Sequence, residues 1–176
     1  MKVNHPLMHG TDWSRQDVSG WWVSEKFDGW RALWTGSEFL TRQGKALNAP
    51  EWFKAGMPKQ PLDGELYAGS ETNHNDVTSA VRSGDWARLT FRPFDVPSPG
   101  VTVEAAMAIL ASLSLPSHVQ PVQFSRVEST EDAIAEMFAV CVTGGEGVML
   151  RRPGSEYCAE RTQDLLKLKP GFESNI

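Results

Sequence analysis

Residues Glu25-Lys26-Phe27-Asp28-Gly29-Trp30-Arg31 stand between two short apolar runs, Trp21-Trp22-Val23 and Ala32-Leu33-Trp34. Both runs read as strand segments, so the charged heptapeptide is a strand-to-strand connection. A lysine there, beside an acid, a glycine and an arginine, has few structural reasons to be present. It is a nucleophile candidate wherever its surroundings favour the neutral amine. Taken alone, Lys-x-Asp-Gly-x-Arg fits a surface hairpin with solvated charges equally well. The remainder of the chain decides between the two.

Working outward, residues 21–25, 31–35 and 38–42 read as three strands, the last two joined by the turn Thr35-Gly36-Ser37. Pro50 opens a short helix over 51–55. Residues 62–68 read as a strand, 75–82 as a helix stopped by Gly84, and 88–96 as a strand with apolar alternation at Leu89, Phe91 and Pro93. Thr102 caps a helix over 103–113, and 119–124 reads as a strand. Ser129 opens a second helix, with Asp132 as its capping-box partner and Ile134, Met137, Phe138 and Cys141 as its core face. Gly144-Gly145 ends it, and 148–151 and 165–169 are the last strands. Many strands with a few helices and short polar turns predict an α+β domain with mainly antiparallel sheets. The first 20 residues read as a polar surface segment, because His5, His9 and Asp12 lack regular metal-ligand spacing.

The chain has 176 residues, enough for one domain with a sizeable core, and 40% of them are hydrophobic. No stretch approaches a membrane span, and residues 1–10 lack the apolar core of a signal peptide. Two cysteines, Cys141 and Cys158, suit a reducing compartment. A net charge of -5 argues against a protein that simply coats nucleic acid. The cations are uneven, though: Arg151, Arg152, Arg161, Lys167 and Lys169 fall within 151–169, enough for a local phosphate site.

Four more segments carry chemistry. Leu62-Asp63-Gly64-Glu65-Leu66 puts a carboxylate mid-strand among apolar neighbours, where burying it alone is costly. Phe94-Asp95 ends a strand. Gly144-Gly145-Glu146-Gly147-Val148-Met149 flanks a glutamate with glycines, which let a ligand approach the backbone. Lys167-Leu168-Lys169 puts two lysines on one strand face. Each has an ordinary explanation by itself: a solvent-facing Glu, a core Phe, a tight turn, a guarded edge strand.

In this order they form the signature of covalent nucleotidyltransferases, and the chain resembles the ATP-dependent DNA ligases. Val23-Ser24-Glu25-Lys26-Phe27-Asp28-Gly29, Leu40-Thr41-Arg42-Gln43-Gly44 and Ala49-Pro50-Glu51-Trp52-Phe53 look most like the minimal bacterial E-type and related phage enzymes. The likeness spans about residues 20–170. It implies a covalent nucleotidyltransferase (ATP-grasp-like) fold over 1–170 with 171–176 as a tail. It also implies roles in DNA repair, replication and recombination.

By the same resemblance, Lys26 attacks the α-phosphate of ATP to give lysyl-AMP, and neighbouring cations and Mg²⁺ (or Mn²⁺) favour the neutral amine. The AMP then passes to the 5′-phosphate of nicked double-stranded DNA, and the 3′-hydroxyl displaces it. Arg31 and Glu65 are expected at the ribose, Phe94 on the adenine, Ser24 at the adenine amino group, and Glu25 among the cofactor-binding residues. Lys167 and Lys169 are expected at the α-phosphate, and Arg42 at the AMP phosphate or the nick. Glu65 and Glu146 are the expected metal-side carboxylates, and Asp28 is expected to orient Lys26 or its metal. The family's C-terminal OB-fold has no counterpart in 170–176, so an adenylation domain alone is expected, with that domain elsewhere. A monomer without membrane contact is expected, in the cytoplasm, or in the host cytoplasm for a phage source. A removed leader would place it in the periplasm instead. The alternatives are an RNA ligase, a capping-type nucleotidyltransferase, or a module unable to seal nicks without a partner.

Overall fold

The computed structural model describes residues 6–174. Two sheets organise it. The first has the order β1-β9-β8-β2-β7, from His9–Asp12 (β1), Arg161–Leu168 (β9), Val148–Arg151 (β8), Trp22–Glu25 (β2) and Ser125–Arg126 (β7). The second has the order β4-β3-β5-β6, from Phe39–Thr41 (β4), Trp30–Trp34 (β3), Leu62–Tyr67 (β5) and Thr90–Asp95 (β6). The expected α+β class with mainly antiparallel pairing is what forms. β1 and β9 pair in parallel.

Each sheet covers its own apolar face. On the second sheet, Phe39, Leu62, Leu66 and Phe91 pack with Phe53 of Glu51–Lys54 (α1), Val77 and Ala80 of His74–Ser83 (α2), and Ala106 and Leu110 of Val103–Ser112 (α3). On the first, Val23, Val148, Leu150 and Leu166 pack with Ala133 and Met137 of Thr130–Val142 (α4). The helix starts obey local rules. Asn73 and Ser129 form capping boxes with Asp76 and Asp132, and the Thr102 hydroxyl accepts from the Ala105 N–H.

Three expectations change. Residues 9–12 form strand β1 instead of a surface segment, because their backbone completes the edge beside β9; His5 lies outside the described residues. Residues 119–124 run beside β6, with the Gln120 and Val122 N–H groups donating to the Phe91 and Pro93 carbonyls. Pro93 and Pro121 lack the N–H a regular ladder needs, so the short strand β7 forms only afterwards. On α4, Phe138 is 49% exposed. The buried stripe runs through Ala133 and Met137, with Ile134, Val140 and Cys141 beside it, and Phe138 lies a helical step beyond. Met137→Ala should therefore cost about 3 kcal/mol, the range for emptying a core site. Phe138→Ala should change stability by less than about 0.5 kcal/mol in the same denaturant titration.

Candidate active site

The apolar faces turn away from each other, and the polar faces of the two sheets enclose a cavity of about 670 Å³. Ser24, Met149, Arg151, Leu165 and Lys167 line it from the first sheet, and Trp30, Arg31, Thr41, Glu65, Phe94 and Asp95 from the second. Of the residues expected to act on a nucleotide, all but Glu146 and Lys169 line this cavity. Those two join it through Lys26.

Lys26 follows β2, and its backbone N–H donates to the Gly147 carbonyl at 2.9 Å. Gly147 has φ of 149°, and a Cβ there would stand 2.5 Å from the Leu168 carbonyl oxygen. Glycine is what lets the Glu146 turn approach both Lys26 and the end of β9. The Lys26 ammonium lies 2.5 Å from Glu146 Oε2, and Lys169 Nζ lies 3.5 Å from the other carboxylate oxygen. Lys167 lines the cavity and pairs with Asp12 at 3.3 Å. Glu146 is thus a bridge between two cations.

Arg31 is held more tightly than a simple ribose contact needs. Its Nε and Nη2 donate to the two Asp63 oxygens at 2.6 Å each, and Nη2 also donates to the Met8 carbonyl at 2.9 Å. Asp63 is fully buried and accepts a further hydrogen bond from the Tyr157 hydroxyl at 2.7 Å. Tyr157 in turn accepts from the Met8 N–H at 3.1 Å. Burial works against the Arg31 charge, but Asp63 more than offsets it and the guanidinium is held firmly protonated. The Arg31 guanidinium carbon sits 4.9 Å above the Phe94 ring.

Glu65 pairs in register with Arg31 across β3 and β5. Burial raises its carboxyl from 4.5 to about 7, against the pull of Arg31 and Lys26. Burial also pushes Glu25 upward, opposed by Arg92, whose guanidinium lies 5.2 Å over the Phe27 ring. His9 is pulled below its ordinary value by burial and by the nearby Arg42, Arg31 and Arg161. Asp28 does not face Lys26 through any hydrogen bond. Its carboxylate accepts from the His74 N–H at 3.3 Å, at the first turn of α2, where a negative charge is favoured. His74 Nδ1 meets the Gly29 carbonyl at 3.0 Å, and Trp30 Nε1 donates to His74 Nε2 at 3.0 Å. These partners require the Nδ1–H tautomer. Gly29 cannot be replaced here, since a Cβ would stand 1.9 Å from the Leu66 carbonyl oxygen.

Sequence reasoning named Arg151 only as one cation of a phosphate site and gave no role to Asp63, Asp95 or Tyr157, the other buried polar groups beneath the site. The first three stand inside or beside the sequence motifs. Nothing in the sequence marked Tyr157. Among the described residues no group of three or more His, Cys, Asp or Glu is arranged to hold a metal ion. Nor is any helix among them long and apolar enough to cross a membrane.

The raised Glu65 carboxyl has a stability consequence. Between about pH 4.5 and 7 the folded chain keeps a proton at Glu65 that the unfolded chain has lost, so this group makes stability fall as pH rises through that window. Glu65→Gln removes the effect. The variant should exceed the parent by on the order of 3 kcal/mol at pH 8, one pKa unit being about 1.4 kcal/mol, and converge with it near pH 4.5 in urea unfolding.

No family model matches the chain. In sequence it is 32% identical over 174 residues to a DNA ligase of Haemophilus influenzae, covering 95% of this chain and 64% of that protein. It is 30% identical to the multifunctional non-homologous end joining protein LigD of Pseudomonas aeruginosa, over 88% of this chain and 21% of that protein. The chain therefore spans under two thirds of the one and about a fifth of the other. In structure it superposes on a Lig E DNA ligase with a TM-score of 0.85 and 29% identity, covering 95% of this chain and 69% of that one. Chlorella virus DNA ligase-adenylate matches with a TM-score of 0.71 and 21% identity over 95% of this chain and 68% of that one, which speaks to fold. In sequence and in fold together, the chain is similar to DNA ligases over the part of those proteins that it spans.

Proposed function

We propose that this domain reacts with ATP to form lysyl-AMP at Lys26 and passes the AMP to the 5′-phosphate of nicked double-stranded DNA. The observation that carries this is the Lys26 ammonium standing in a cavity between two sheets, 2.5 Å from the Glu146 carboxylate. Glu146 is the base within reach of the proton that must leave before the amine attacks. The new bond joins Lys26 Nζ to the α-phosphorus, and the bond from that phosphorus to the pyrophosphate oxygen breaks.

The remaining cations fit the charge that develops on phosphoryl oxygens. Lys167, Lys169 and Arg42 are the clamps. Arg31, held by Asp63, and Glu65 would take the ribose. With one face of Phe94 under the Arg31 guanidinium, the adenine is placed on the other, beside Ser24 and Glu25. Glu65 and Glu146 offer the hard carboxylate oxygens that Mg²⁺ (or Mn²⁺) takes together with substrate phosphates. When bound, the ion would neutralise charge on the triphosphate. Nicked DNA and an OB-fold domain are the proposed partners, with the enzyme acting as a monomer.

Incubation with ATP and Mg²⁺ should add the mass of one AMP to the intact chain, and Lys26→Ala should abolish the adduct. An adduct with GTP and not ATP would turn the reading to capping chemistry, and no adduct with any nucleotide would overturn it. Transfer is read next: sealing of a nicked DNA duplex, and not of nicked RNA, is the expected outcome.

A further inference from the structure

We propose that the buried ion pair between Asp95 and Arg151 is a positioning device for the base: it sets the gap between the Phe94 wall and the Met149 wall of the cavity, and so how much a purine gains by stacking on Phe94. The inference rests on the reading of this cavity as an ATP site.

Asp95 and Arg151 are 2% and 4% exposed. Arg151 Nη1 donates to Asp95 Oδ2 at 2.7 Å. The rest of the guanidinium is fixed too, with Nε donating to the Ser155 hydroxyl at 2.7 Å and Nη2 to the Ser155 carbonyl at 3.3 Å. The free Asp95 oxygen accepts from the Val96 N–H at 2.9 Å. Among the described residues this is the one ion pair that joins a strand of the first sheet to a strand of the second.

Both ends of the pair are tied to cavity walls. Arg151 is two residues beyond Met149 on β8, so their side chains share a face. Asp95 directly follows Phe94 on β6. Strand alternation would normally send two neighbours to opposite faces. Here β5 and β6 slip register between Asp63 and Gly64, with Asp95 opposite Asp63 and Pro93 opposite Gly64, and Phe94 is the extra residue. That bulge lets Phe94 and Asp95 both reach the cavity. A shift in the ion pair therefore moves the Phe94 ring relative to Met149.

A double-mutant cycle separates this role from simple support of the fold. ATP dissociation constants are measured on the chain carrying Lys26→Ala, so that no adduct accumulates, with Phe94→Ala and Arg151→Lys singly and together. Lysine keeps the charge but cannot hold Asp95 and Ser155 at once. With the pair intact, Phe94→Ala should weaken ATP about ten-fold, the scale of one base–aromatic stack. In the Arg151→Lys background it should weaken ATP by less than about three-fold. The same factor in both backgrounds overturns the proposal. If Arg151→Lys does not fold, Ser155→Ala is read the same way, with a coupling of at least about two-fold expected and strict additivity overturning the proposal. ATP binding without an adduct on the parent chain would overturn the covalent step and leave this test standing. No ATP binding would overturn both.

Discussion

Two sheets, each satisfied by its own helices, have to be joined across a polar cavity, and the buried pair of Asp95 and Arg151 is the ionic part of that junction. Further hydrogen bonds come from the connection between β8 and β9. Along it, the Val103 N–H donates to the Ser155 carbonyl, the Tyr157 N–H to the Val101 carbonyl and the Gly154 N–H to Glu104. The Tyr157 hydroxyl ends on Asp63. A seam of this kind is poor as a source of net stability, because desolvating two charges offsets most of their attraction. Removing one partner is costly, because it strands the other in a dry site. Such a seam specifies geometry: the sheets can meet in one arrangement.

The same constraint explains why acids sit so deep beneath the cavity. Asp63 and Asp95 are opposite each other across β5 and β6, and both are almost wholly buried. Side by side, two buried carboxylates call for cationic partners. Arg31 answers the first and Arg151 the second, and burial still pushes Asp95 upward against the pull of its arginine. Arg31 so held is pre-organised, with its orientation settled before any ligand arrives. The ring from Arg31 through Asp63 and Tyr157 to Met8 also ties residues next to β1 to the site, which gives the N-terminal segment a place in it.

The Lys26 end of the cavity is arranged differently. Lys26, Lys169 and Glu146 are only partly buried, and their contacts run through one carboxylate. These groups are reached from the solvent, unlike the buried pairs of Asp63 and Asp95. Glu65 sits between the two regimes, with burial holding its proton near neutrality and the neighbouring cations pulling the other way.

Much of this was legible in the chain. Local rules placed the helices, because Thr102, Asn73 and Ser129 are caps that act within a turn of themselves. The motif segments that meet around one cavity, those of Lys26, Glu65, Phe94, Glu146 and Lys167, could be named in advance from residue type and order. What stayed illegible depends on partners far apart in sequence. Residues 9–12 are a strand because β9 lies beside them. Met8 and Tyr157 gain roles in the ring only when positions 149 apart in sequence fold together. Phe138 is exposed because α4 turned its Ala133–Met137 stripe inward. Asp28 shows the boundary within one motif: its place beside Lys26 is written in the sequence, yet the start of α2, 46 residues away, decides what its carboxylate meets. The sequence by itself determined which groups are candidates for chemistry, since that rests on residue type. Only the tertiary structure decided how far apart they stand and which buried charges hold them there, because those distances are set by packing two independent sheets across a polar seam.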